Sequence, residues 1–167
     1  MRKPADLRAY LTRCNAFLQA NPDRLHVFVE KGRIVCTGTR NLSHEYLYTL
    51  TLVVTDYPAS EDEIMLPLLG WLRVNQPELF ENPARWDTAF QFEVELLNND
   101  AVDIEIQLAL TERVIVQTGP DGKQQAQHFG EPPHPDIPAE DMAIDVVLPE
   151  GLGTVEVRVP AWRHPYE

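Results

Sequence analysis

The sequence predicts an α+β fold: an antiparallel or mixed sheet of about five to seven strands, with two main helices packed on one face. Two patterns carry that prediction. Phe90, Phe92, Val94 and Leu96 alternate with Gln91, Glu93 and Glu95, and Val102, Ile104, Ile106, Leu108 and Leu110 alternate with Asp103, Glu105, Gln107 and Ala109. A period of two gives each strand one apolar and one polar face. Leu7, Leu11, Cys14 and Leu18 recur instead at steps of three and four, the period of a helix with one apolar stripe. A chain of 167 residues can bury one core without disulfides or metal.

The first helix is expected from about Pro4 to Ala20. Pro4 suits a first turn, where its missing N–H costs nothing, and Asn21-Pro22 ends the run. Leu25–Lys31 and Arg33–Thr39 read as a hairpin bent at Gly32. Tyr46–Asp56 is the richest strand, with both faces suited to a strand covered on two sides. Ser60 and Glu63 have the spacing of a capping box, and Ile64, Leu68, Trp71 and Leu72 supply a buried helical face, with Trp71 expected in the core. Pro67 should kink this helix or shorten it to a start near Leu66, because it lacks a backbone donor. Pro77–Phe80 would add one turn.

Pairing parity says more about the alternating strands. If they pair directly, their even-numbered apolar residues must oppose one another, so the loop between them holds an odd number of residues. Glu95 then faces an acid, either Asp103 or Glu105, and like charges across strands are unfavourable. Glu112 falls on the inward parity of the run that continues as Val114 and Val116, so Thr111-Glu112-Arg113 marks a bulge, a break or a buried contact. Residues 119–140 lack a periodic core pattern. Pro120-Asp121-Gly122 reads as a turn, and Glu131–Pro138 as a stiff extended segment, either a linker or an arm that docks on a neighbour. Ile144, Val146 and Leu148 with Val155, Val157 and Val159 predict a last strand pair. The chain divides accordingly into a core (1–118), a Pro-rich arm or linker (119–143) and a C-terminal strand pair and tail (144–167).

The formal charge of −12 repels phosphates and anionic lipid heads, which argues against direct binding of nucleic acid or membrane. The N-terminus is too charged for a signal peptide, and no stretch is apolar enough for a membrane span. Cys14 and Cys36 read as reduced thiols without metal-type spacing. The sequence carries no phosphate-cradling glycine loop, nucleophile elbow or paired-cysteine zinc pattern. None of His26, His44, His128, His134 and His164 stands at the spacing that aims two imidazoles at one ion. Ser43-His44-Glu45 mimics a triad on paper, but adjacent strand residues point to opposite faces. No catalytic residue, cofactor or metal site is therefore expected.

The acidic row Glu93, Glu95, Asp103 and Glu105 admits three readings: a solvated sheet face, a cation or acid–base site, or the wall of a shared channel or partner surface. Candidate inter-subunit contacts are Glu112, Arg113, Pro132, Pro133 and Trp162, the last with Tyr166 as a terminal anchor.

The sequence resembles the tail completion protein R family of P2-like tailed phages and their prophage relatives. The likeness runs through Lys3-Pro4-Ala5-Asp6-Leu7-Arg8, Asn21-Pro22-Asp23-Arg24-Leu25, Leu42-Ser43-His44-Glu45-Tyr46 and Val53-Val54-Thr55-Asp56. Pro67-Leu68-Leu69-Gly70-Trp71-Leu72-Arg73 before Asn75-Gln76-Pro77-Glu78 is its most specific stretch. Leu97-Asn98-Asn99-Asp100, Leu110-Thr111-Glu112-Arg113 and Glu131-Pro132-Pro133 complete it, so it covers residues 2–138 in register. The resemblance implies a structural protein, not an enzyme, that finishes the tail tube and enables stable head–tail joining, as a homo-oligomeric ring, a hexamer to match a sixfold tube. Implied partners are further copies of itself, tail tube, sheath or head connector proteins, and DNA that passes through without specific binding. It also implies assembly in the host bacterial cytoplasm, then a place in the virion tail. In the lumen of such a ring the acidic row would repel passing phosphates. The alternative is an acidic adaptor or assembly chaperone that binds another protein transiently; a hydrolase with an unrecognised carboxylate site is a third.

Overall fold

The computed structural model describes residues 1–36, 38, 41–97, 101–132, 141–149 and 152–161. Two helices open the chain, α1 (Lys3–Cys14) and α2 (Ala16–Ala20). Strands β1 (Leu25–Cys36) and β2 (His44–Tyr57) lead to α3 (Asp62–Asn75) and the short turns α4 (Glu78–Glu81) and α5 (Trp86–Ala89). Then come β3 (Phe90–Leu96), β4 (Val102–Thr118), β5 (Gln124–Phe129), β6 (Met142–Val147) and β7 (Thr154–Val159). The large sheet has the order β1-β2-β4-β3, with β5 also on β4, and every pairing is antiparallel. The expected α+β fold is thus observed, with two main helices and an antiparallel sheet.

The helices pack on the face carrying Tyr48, Leu50, Leu52, Val54, Ile104, Ile106, Leu108 and Leu110, against which Leu7, Leu11, Leu18, Ile64, Leu68, Trp71 and Leu72 are buried. Each such aliphatic side chain contributes about 1.5–3 kcal/mol by leaving water. The β6–β7 pair forms a separate two-stranded sheet, with Ile144 opposite Val157 and Val146 opposite Val155, as the alternation predicts. It packs on α3. The alternating strands β3 and β4 pair even to even, with Leu96 opposite Val102 and Glu95 opposite Asp103, and the Leu97 N–H donates to the Ala101 carbonyl at 3.0 Å.

Several local expectations are corrected. Leu25–Cys36 is one strand, not a hairpin at Gly32: β2 pairs with both halves, and the ladder shifts between Glu30 and Arg33. Lys31 adopts φ 50° there, a left-handed residue that makes a bulge. The bulge returns Ile34 to the face that Val29 occupies, so the alternation restarts without a reversal of the chain. The first helix is interrupted at Asn15, whose backbone is extended. Its Oδ1 accepts the Leu18 N–H at 3.0 Å, restarting the helix, and its Nδ2 donates to the Tyr57 hydroxyl at 2.8 Å.

Helix α3 begins at Asp62, not near Leu66, and continues unbroken past Pro67. Pro67 lies past the first turn, so its missing N–H leaves the Glu63 carbonyl without its helical donor, a loss the buried face of Ile64, Leu68, Trp71 and Leu72 offsets. The reciprocal capping box does not form: Ser60 Oγ accepts from the Asp62 N–H at 3.4 Å, while the Glu63 carboxylate accepts from the Tyr57 hydroxyl at 3.5 Å. The expected turn at 120–122 closes a hairpin into β5, a strand that the polar run Gln124-Gln125-Ala126-Gln127-His128-Phe129 did not announce.

Candidate functional site

The outer face of the large sheet, opposite the helices, carries the acidic row. Glu93 stands opposite Glu105 and Glu95 opposite Asp103, with Glu93 and Glu95 exposed and Asp103 and Glu105 half-buried. Asp103 Oδ1 accepts the Asp56 backbone N–H at 2.8 Å, next to the irregularity at the end of β2, and Glu105 Oε1 accepts from Gln107 Nε2 at 2.8 Å. A shallow cleft of about 370 Å³ at this edge is lined by Phe90, Gln91, Phe92, Glu93, Glu105 and Gln107. It holds neither an imidazole nor a nucleophile to work with a carboxylate. Among the described residues no three His, Cys, Asp or Glu side chains gather as for a metal ion.

The other face of β3 is apolar and partly open. Phe92 is 59% exposed and Leu96 82%, although both stand on the parity of the core. Helices α1–α3 cover β2 and β4; at the edge strand β3 Phe90 and Val94 still pack against the core, while Phe92 and Leu96 do not. Beside it, Leu69, Leu72, Leu79, Phe80, Trp86, Ala89 and Phe90 line an apolar groove of about 300 Å³. Trp86 is 59% exposed, its indole N–H donating to the Phe80 carbonyl at 3.2 Å. Sequence alternation gave the direction of Phe92 and Leu96 but not their exposure, because it cannot show where a helical layer stops.

The third feature lies inside. Glu112, 4% exposed, keeps the β4 ladder unbroken opposite Tyr46, so neither bulge nor break occurs there. Its carboxylate sits at the start of α1. Oε2 accepts the Arg2 N–H at 2.7 Å, and Oε1 accepts the Lys3 N–H at 3.0 Å and the Tyr48 hydroxyl at 2.6 Å. His128 Nδ1 lies 3.1 Å from Oε2. Arg2 offers no side-chain cap of its own; the cap of α1 comes from β4, where a negative charge also meets the positive end of the helix. Burial alone would raise the Glu112 carboxyl's pKa, but the Tyr48, Arg2 and Lys3 hydrogen bonds outweigh it and hold it below the usual range. Burial pushes the Tyr48 hydroxyl far up and lowers the Lys3 ammonium, against the pull of Glu131 and Glu112. Lys3 Nζ donates to Gln76 Oε1 at 2.7 Å and to Glu131 at 3.2 Å, while Gln76 bonds to Thr111 through Nε2 at 3.1 Å. The N-terminus, α3, β4 and the segment after β5 are thus tied together by one polar network.

The remaining candidates are dispersed. Arg113 is exposed on the outer face and Pro132 is exposed beyond β5; Pro133 and Trp162 lie outside the described residues, as does Tyr166. Trp71 is buried, donating through Nε1 to Asp6 at 3.0 Å. Ser43 and His44 serve separate backbone groups: Ser43 Oγ accepts the Val116 N–H at 2.9 Å, and His44 Nδ1 donates to the Leu42 carbonyl at 2.8 Å. Among the described residues no helix is long and apolar enough to cross a membrane.

Fold and site together define an acidic antiparallel α+β protein whose distinctive features are surfaces and sheet edges. Residues 1–132 match the family model of P2 phage tail completion protein R (GpR). Over 136 residues the chain is 39% identical to the tail completion protein R of Escherichia phage P2, covering 81% of this chain and 87% of that one. No solved structure matches it. The chain belongs to the P2 phage tail completion protein R family, a family of structural proteins of the phage tail.

Proposed function

We propose that this protein finishes the phage tail tube and makes stable joining of the head possible, acting as a closed homo-oligomeric ring, hexameric to match a sixfold tube. The family match over residues 1–132 carries this reading. A ring at the end of a tube presents one rim to the last tube layer and the other to the head connector. The outer sheet face, with Glu93, Glu95, Asp103 and Glu105, faces the lumen, where like charge keeps DNA phosphates from sticking as the genome passes. Exposed Arg113 and Pro132, with Pro133 and Trp162, contact neighbouring copies or tail and head proteins; Glu112 supports them from inside by fixing the start of α1. Assembly takes place in the host cytoplasm, and the protein stays in the virion tail. It works through shape and contact, without catalysis.

Electron microscopy of particles produced without this protein tests the proposal. Tails lacking heads are expected. Infectious particles of normal form would refute it, and a protein found only in lysates, never in purified virions, would favour a transient chaperone.

A further inference from the structure

The two edges of the large sheet are complementary to each other. Among the described strands β1 pairs only with β2, and β3 only with β4, so each edge presents a row of unpaired N–H and C=O groups. Such rows are templates for another strand. Because each step of β1-β2-β4-β3 is antiparallel, β1 and β3 run in opposite directions. A second copy, rotated about an axis along the strands, therefore presents its β1 antiparallel to β3 of the first, continuing the same ladder.

The side chains agree with that pairing on both faces. On the outer face β3 carries Glu93 and Glu95, while β1 carries Arg33, with Lys31 at the bulge beside it, and Glu30, whose carboxylate is turned onto its own sheet, accepting from the Thr51 hydroxyl at 2.8 Å. None of Glu93, Glu95, Arg33 and Lys31 has an ion pair among the described residues. On the inner face β3 leaves Phe92 and Leu96 in water, and β1 leaves Val29 and Ile34, the latter 61% exposed. With Ile34 opposite Phe92 and Val29 opposite Leu96, Arg33 falls opposite Glu93 on the other face, and Lys31 lies beside Glu95, between it and Glu30. The bulge and charges of β1 also guard that edge against indiscriminate pairing. A twofold pairing of β3 with β3 would instead bring Glu93 and Glu95 of the two copies against each other, which is unfavourable.

We propose that β3 of one subunit joins β1 of the next as a continuous intersubunit sheet, with Glu93 against Arg33, Lys31 at the bulge beside Glu95, Phe92 against Ile34 and Leu96 against Val29. This contact uses different patches on the two partners, and such contacts close into rings under cyclic symmetry. The inference rests on the ring reading above and names its seam.

Charge exchange tests it on the full chain. One variant carries Glu93→Lys and Glu95→Lys, a second carries Lys31→Glu and Arg33→Glu, and a third carries all four. Circular dichroism melting first establishes that each folds as the unaltered protein does, since all four positions are exposed. Self-association is then read by mass photometry, alone and on tail tube ends. Each two-site variant should lose assembly, its midpoint moving at least roughly tenfold upward in concentration. Mixing the two should restore it, because each one's β3 then meets an oppositely charged β1, and the four-site variant should assemble by itself. Two-site variants that assemble like the unaltered protein would overturn the seam while leaving the ring intact. An unaltered protein that stays monomeric even on tube ends would overturn the ring and the seam together.

Discussion

Glu112 shows how one side chain organises distant parts of the chain. Its acceptors serve the backbone donors of Arg2 and Lys3 about a hundred residues earlier, and the Tyr48 hydroxyl on the neighbouring strand. Glu112→Ala leaves those donors buried without partners and uncaps α1. The expected cost is about 2–4 kcal/mol in chemical denaturation, whereas an effect within 0.5 kcal/mol, the range of ordinary surface changes, would contradict the capping role. The pH dependence follows from the direction of the shift. A carboxyl held below its ordinary value of 4.5 adds stability that is fully present above that value and fades as pH falls through the lower folded value. Acid titration of stability should therefore fall more steeply below about pH 4.5 for the unaltered protein than for Glu112→Gln; parallel curves would contradict it. Tyr48→Phe should cost about 1 kcal/mol by the same assay. The sequence made the inward direction of Glu112 legible through strand parity. It could not reveal the donors, because side-chain periodicity reports which face a residue takes, not what lies over that face. The bonding of Asn15 to Tyr57, and of Asp103, noticed only for its charge, to the Asp56 N–H, was hidden for the same reason: each is an ordinary polar residue until its partner is in place.

At the scale of elements, patterns with a strong apolar period were legible and those without were not. The even residues of β3 and β4, the stripe on α1 and the β6–β7 pair all bury apolar groups on one side, so their period is written in the composition. β5 is polar because it sits at an edge, and its place is set by backbone pairing with Arg113–Thr118. The unbroken course of β1 was hidden because a bulge and a turn both favour glycine and a reset of alternation. The joint between α3 and the β6–β7 hairpin depends on a close approach at Gly70, where an added Cβ would lie 2.4 Å from Val159 Cγ1. Val159 is buried and β-branched, so it has little freedom to move aside. Gly70→Ala should cost about 1–3 kcal/mol and lower amide-exchange protection in β6 and β7 more than in β2 and β4. Adding Val159→Ala should recover part of that loss. Equal loss of protection throughout the large sheet, or no recovery, would show that the hairpin is not held at this point.

At the scale of the molecule, the net charge of −12 fixes how the sheet can meet its surroundings. The helices take up the apolar interior of one face, and the opposite face keeps facing acids, Glu93 with Glu105 and Glu95 with Asp103. A protein optimised for stability alone would place opposite charges there, since each like-charged pair costs a few tenths of a kcal/mol. The mismatch is a reason to look for its use outside the subunit, in repelling phosphates from a shared channel. Replacing Glu93, Glu95 and Glu105 with Gln and Asp103 with Asn tests whether these charges serve folding. The amide oxygen at 103 can still accept the Asp56 N–H, so the end of β2 stays supported. The subunit's melting temperature should stay level or rise by up to roughly 4 °C, the equivalent of about 1 kcal/mol for a chain of this size. In complete particles the change at Asp103 and Glu105 alone, which lie on β4 away from the β1–β3 seam, should slow passage of the genome, measured as DNA release from triggered virions, with the effect weakening as added salt screens the charges. A subunit that unfolds on neutralisation would place these carboxylates among the supports of the fold and remove the argument for a channel wall. Release at an unchanged rate from particles of normal composition would remove it as well.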